Sequence, residues 1–249
     1  MKLSYKVLLF LFLTVHISCI NNSSAVTQIG KQTKEESVFQ VKIPEPSGLA
    51  YSMDKDALYT VSDKTGNIYK IDFRGEILDK LKFNGHDLEG IDVDRRTGDI
   101  WVVEEERELV LHLDSNGELI TKLDNISVKT TGNTGFEGIA ICRDTLYILV
   151  EKNPGVLIVY SLITGEWEKH HLDFADDYSG IDYDETDNTL WIVSHESHTL
   201  NHCTTRGKLI DRQKLDISQA EGVVVDRKQS FAWIIDDHAQ KLYKVKLKI

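Results

Sequence analysis

The stretch Asp87–Asp94 (DLEGIDVD), followed at Ile100–Val103 by IWVV, recurs in variant form five times along the chain, and that recurrence dictates the architecture. Each unit opens with Ser-Gly or Glu-Gly: Ser47-Gly48, Glu89-Gly90, Glu137-Gly138, Ser179-Gly180 and Glu221-Gly222. The glycines lie 42, 48, 42 and 42 residues apart. Each is followed by a short apolar run, a polar turn, and a second run with an aromatic near its start: Tyr59, Trp101, Tyr147, Trp191 and Trp233. A third run follows, and in the first four units a turn glycine closes it: Gly75, Gly117, Gly165 and Gly207. These glycines keep the same rhythm of 42, 48 and 42, so two independent landmarks share one period.

Short β-branched and aromatic runs bounded by Gly, Asp and Asn predict strands, and no stretch shows helical period. Four strands in about 42 residues is the size of a propeller blade. The fifth unit has three strands before the chain ends at Ile249. The strand it lacks is expected from Val38–Ile43 (VFQVKI), which would close the ring and remove exposed sheet edges. The expected fold is therefore all-β, a five-bladed β-propeller closed by an N-terminal strand over residues 36–249. The longer second interval places an insertion of six residues in the loop Asn125–Thr134.

The remainder of the chain reads as an address. Lys2 and Lys6 precede the nine-residue apolar run Val7–Val15, far short of the roughly 20 residues of a spanning helix. The run leads into His16-Ile17-Ser18-Cys19, which resembles a bacterial lipoprotein box apart from the histidine. Residues 1–18 are read as a signal peptide, Cys19 as the lipidated N-terminus and residues 19–35 as a flexible tether. The expectation is a protein of the bacterial cell envelope, lipid-anchored to a membrane, facing the periplasm or exterior, and monomeric.

With 40 acidic against 29 basic residues the net charge is −11, and removal of the signal peptide takes it to −13. That balance argues against nucleic acid, whose binding needs a basic footprint. It leaves metal ions and cationic ligands open. Cys142 and Cys203 have no disulfide framework around them and read as small buried side chains.

In a propeller the first strand of each blade lies nearest the axis, so the signature positions form a ring: Ser47, Glu89, Glu137, Ser179 and Glu221. Four places after each aromatic comes a second column, Asp63, Glu105, Glu151, His195 and Asp237. At about 6 Å and an effective dielectric near 20, each carboxylate pair of the ring costs roughly 3 kcal/mol. Such a ring takes up protons or binds a cation. Oxygen ligands favour a hard ion, and an adaptable ring suits Ca²⁺ better than octahedral Mg²⁺. The plainer alternative is a Glu-Gly turn with the glutamate in a wet channel mouth and the second column a solvated rim. The aromatic column reads as core.

Signals for catalysis are sparse. No G-x-S-x-G, phosphate-cradling loop or H-E-x-x-H occurs. His195 and His86 fall near the axis and could act as bases beside a metal. The Asp-rich segments Asp92–Asp94 and Asp182–Asp187 read as turns rather than calcium loops.

The blocks EPSGLAYS…LYTVSD, DLEGIDVD…IWVVEE, GFEGIAI…LYILVE, YSGIDYD…LWIVSH and AEGVVVD…AWIID resemble the bacterial SdiA-regulated propeller family over residues 38–249. The resemblance implies five blades, a bound calcium ion and an envelope location. It places the axial calcium on the Glu-Gly glutamates Glu89, Glu137 and Glu221, from which Ser47 and Ser179 depart, and it carries no settled catalytic activity. Three functions compete: a calcium-binding interaction module presenting a propeller face to a small-molecule or protein ligand; a calcium-dependent hydrolase of a lactone, ester or phosphoester; and a structural platform for protein partners.

Overall fold

The computed structural model describes residues 35–126, 128, 135–152 and 154–248. Cys19, the segments read as signal peptide and most of the tether, and most of the Asn125–Thr134 insertion lie outside them. Twenty strands and no helix make up the regular structure of the described residues, so no helix among them could cross a membrane.

The first strand, β1 (Glu35–Gln40), belongs to the last blade. Blade one is β2 (Pro46–Tyr51), β3 (Leu58–Ser62), β4 (Asn67–Ile71) and β5 (Ile77–Asn84). Blade two is β6 (Leu88–Val93), β7 (Ile100–Glu104), β8 (Leu109–Leu113) and β9 (Leu119–Leu123). Blade three is β10 (Phe136–Cys142), β11 (Thr145–Val150), β12 (Val156–Ser161) and β13 (Trp167–His171). Blade four is β14 (Ile181–Asp184), β15 (Thr189–Ser194), β16 (Thr199–Thr204) and β17 (Leu209–Lys214). Blade five is β18 (Ala220–Asp226), β19 (Phe231–Asp236) and β20 (Lys241–Lys246), with β1 antiparallel to β20 as its outer strand. The closing strand thus begins at Glu35, one residue inside the segment read as tether, and ends at Gln40 rather than Ile43. Val41 and Ile43 are instead fully buried between blades five and one, where apolar burial outweighs a longer ladder.

The inner strands contact one another around the ring, β2 with β6, β6 with β10, β10 with β14, β14 with β18 and β18 with β2. Five apolar clusters fill the five blade interfaces, and each holds one aromatic of the repeated column. Trp101, for example, packs with Val103 and Val110 of its own blade against Ile139 and Ile148 of blade three. Cys142 and Cys203 are unpaired thiols, Cys203 fully buried.

The signature glycines are where the inner strands touch. A Cβ on Gly90 would stand 2.7 Å from the Ile139 backbone nitrogen, and one on Gly222 would stand 2.5 Å from the Gly48 carbonyl carbon. Only hydrogen fits there, and the last contact joins blade five to blade one. The same positions carry a register shift in four blades: Ser47/Ala50, Leu88/Ile91, Phe136/Gly138 and Ala220/Gly222. A bulge re-aims the side chain beside it, and here it turns the signature residue toward the axis.

The aspartates read as turn residues divide. Asp94 and Asp184 accept the Arg96 and Thr186 backbone N–H groups, each at 2.9 Å, as turn residues do. Asp92 and Asp182 instead reach into the next blade, accepting the N–H of Ile141 and of Val225, each at 2.7 Å. Burial pushes their carboxyls up to about 6 and about 7.

Candidate metal centre

The bulges and the ends of the second strands converge on one pole of the ring. All five signature residues, Ser47, Glu89, Glu137, Ser179 and Glu221, line a single cavity of about 180 Å³. Asp63, Glu151, His195 and Asp237 of the second column line it too. Each second-column residue directly follows the last residue of its second strand. In blades two, four and five its carbonyl accepts the N–H three residues on, from Glu108, His198 and Gln240, all with positive φ. A tight turn therefore lifts the side chain over the channel mouth. Glu105 does not line the cavity, but its carboxylate meets Glu137 and Glu151, with oxygens of all three within 4.8 Å of one another.

A third column escaped the sequence reading: Glu45, Asp87, Gly135, Asp177 and Gln219, each two residues before a signature residue. The backbone N–H groups of Asp63, Glu105 and Asp237 donate to the carbonyls of Glu45, Asp87 and Gln219 (3.1, 2.9 and 3.1 Å). This fixes the third column beside the second. Asp87 brings its carboxylate to Asp63 and Glu89, a second trio with oxygens within 4.8 Å. Gln219 donates to Asp237 Oδ2 at 3.0 Å, while Asp237 Oδ1 is buried without a hydrogen-bond partner. The signal was in the sequence as a fixed offset, but four different residue types fill it.

The electrostatics follow from crowding acids out of water. Burial raises Glu89 well above the ordinary carboxylate range, against the opposing hydrogen bond of Ser47. Burial and then the charge of Glu89 do the same to Glu137. Burial pushes Glu221 up to about 7, although His195 and the Ser179 hydroxyl pull it down. Asp63 reaches about 6 through burial and its contact with Asp87. Glu105 and Asp237 are raised as well, burial leading in both. The two serines separate the ring glutamates, so the only adjacent like pair is Glu89 and Glu137.

His195 is the exception in its column. Its Nδ1 lies 2.7 Å from Asp177 Oδ2 and 3.4 Å from Glu221 Oε1. Asp177, with a fully buried side chain, also accepts the Ser194 hydroxyl and the Glu196 N–H (3.0 Å). The bond to Asp177 lifts the imidazole to about 9, so it is a cation at neutral pH and donates rather than accepts a proton. His86 lies on the exposed rim, 3.9 Å from Glu106, and with Glu106 and Asp87 it brings potential ligand atoms within 4.8 Å of one another.

The donor set suits a hard cation. It is all oxygen apart from His195, and two oxygens on one calcium at 2.3–2.6 Å lie at most about 5 Å apart, which both carboxylate trios satisfy. The orphaned Asp237 oxygen is a further free donor at the same pole.

A ring of five four-stranded blades with acids gathered at one pole defines the class: a five-bladed β-propeller with an acidic axial cavity. A family model described as SdiA-regulated matches residues 23–246, and the chain belongs to that family. Among solved structures, Myxococcus xanthus glutaminyl cyclase aligns over 86% of this chain and 96% of its own, with 8% identity and a TM-score of 0.68. The Cps50 (Swd1) β-propeller domain of Myceliophteria thermophila aligns over 82% of this chain and 65% of its own, with 10% identity and a TM-score of 0.50. At these identities the likeness is one of fold.

Proposed function

We propose that this protein is a calcium-binding propeller that serves as a binding or interaction module in the cell envelope, in calcium homeostasis or sensing, held to a membrane through a lipid on Cys19. The observation that carries the reading is the gathering of two carboxylate trios, Asp63–Asp87–Glu89 and Glu105–Glu137–Glu151, around one axial cavity with few basic groups to balance them. Lys64 pairs with Glu45 and Lys152 with Glu151, and His195 faces Glu221. Glu89 and Glu137 have no such partner among the described residues. A divalent ion would hold these groups ionised and remove their repulsion; Glu89, Glu137, Asp63 and Glu105 would supply its oxygens, with Glu151, Glu221 and Asp237 around them.

The hydrolase reading is weaker, because a histidine held at about 9 is a poor general base at neutral pH. Calorimetric titration of calcium into the wild type and into Glu89→Ala, Glu137→Ala and Glu221→Ala tests the proposal. Loss of affinity at Glu137 and Glu89 is expected. Unchanged affinity in all three would remove the ring as the site.

A further inference from the structure

The inner strands run from the acidic pole to the opposite one, where a second cavity of about 260 Å³ opens among the turns that follow Tyr51, Asp184 and Asp226. Its walls include Lys55, Arg95, Arg227 and Lys228. Arg227 is committed, to Asp184 at 3.5 Å and to Asp187. Arg95 is not. It is half-buried, and among the described residues it has no hydrogen-bond or ion-pair partner.

Its neighbour Arg96 shows the contrast, bonding Asp94 (2.8 Å), Asp144 (3.1 Å) and the Arg143 carbonyl (2.5 Å). The Arg95 guanidinium instead sits 5.8 Å from the centroid of the buried Tyr51 ring, and Lys55 Nζ sits 5.4 Å from the same centroid. Two cations on one ring repel, and burial followed by that repulsion lowers the Lys55 pKa. Five guanidinium donors left unused in a half-buried site call for an acceptor. Asp92 and Asp182 attract the guanidinium electrostatically, but their carboxylates accept the N–H groups of Ile141 and Val225 and neither hydrogen-bonds it. On the wall itself Asp184 is taken by Arg227 and Thr186, Asp226 accepts the Gln229 N–H (3.0 Å), and Glu185 is exposed.

We propose that this cavity binds a small oxyanion, a carboxylate or phosphate group, which Arg95 engages with its planar fork and Lys55 with its ammonium above Tyr51. The propeller then carries two sites of opposite charge preference at the two ends of one axis. The cavity has room for a small metabolite rather than a polymer.

The test titrates full-length protein with sodium phosphate and, separately, with sodium succinate, each in chloride buffer of matched ionic strength. Saturable binding of phosphate, of succinate or of both supports the site and tells the two chemistries apart. Arg95→Gln or Lys55→Gln should weaken it at least about tenfold while leaving the calcium titration unchanged. Lys55 lies on an exposed turn, so its variant serves if Arg95→Gln fails to fold. The absence of saturable binding by either anion up to about 10 mM overturns the proposal, as does binding retained at full strength in both variants.

Discussion

The imidazole of His195 is clamped between two carboxylates, 2.7 Å from Asp177 and 3.4 Å from Glu221, at the mouth of a cavity lined mostly with acids. Asp177 comes from the loop before β14, His195 from the turn after β15, and Glu221 from the next blade. The trio ties blade four to blade five with a cation supplied by the chain itself.

Removal of Asp177 strands that cation and two backbone donors. Asp177→Ala should cost about 3–5 kcal/mol in chemical denaturation. In Asp177→Asn the His195 pKa should fall from about 9 toward 6.5, followed by NMR titration of the ring protons. A value unchanged in the Asn variant would show that Asp177 does not hold the charge.

Stability without metal should fall as pH rises. Glu221 at about 7 and Asp63 at about 6 keep protons in the folded state that the unfolded chain releases near 4, so their effect favours folding at low pH and fades through those values. His195, raised from 6.5 to about 9, contributes stability that is complete below 6.5 and lost as pH climbs through 9. Both trends run the same way. Calorimetric melting in chelator should give a lower Tm at pH 8 than at pH 5.5, and millimolar calcium should raise Tm most at pH 8. A chelated protein equally stable at both values would contradict the crowding of these acids.

Gly90→Ala should destabilise by about 1–3 kcal/mol, because the new methyl meets the Ile139 backbone nitrogen at 2.7 Å and neither inner strand can retreat from a closed ring. Urea denaturation measures it. A neutral result would mean that the blades have slack at the axis.

Deletion of residues 35–40 bares the outer edge of β20 along the rungs now made by Val38 with Tyr243 and Phe39 with Leu242. It also removes the Phe39 ring, 6.3 Å from Trp233. The truncated protein should melt lower and associate with rising concentration in light scattering, since an unpaired edge invites pairing with another chain. A monodisperse variant would show that the edge is protected by other means.

Much of the site was legible because a propeller repeats. Once the Ser-Gly and Glu-Gly signatures were counted, the ring residues fell at the signatures and the second column fell four places after each repeated aromatic. Their convergence on one cavity follows from blade symmetry. The third column was not legible in the same way: three carboxylates, Glu45, Asp87 and Asp177, share the position with Gly135 and Gln219, so no single residue type marks it. Likewise Asp92 and Asp182 read as turn residues, although their carboxylates bind backbone N–H groups of the following blade.

Read alone, the chain specified five blades, the closing N-terminal strand and the two acidic columns, because local period and strand propensity carry that information. Folding settled the charge of each group. It turned His195 into a cation by setting Asp177 beneath it, kept Glu89 and Glu137 reluctant to ionise by burying them together, and left Arg95 at the far pole without a hydrogen-bond acceptor among the described residues. Protonation and pairing depend on neighbours brought from distant parts of the chain and on the water excluded between them, and neither is written at any single position.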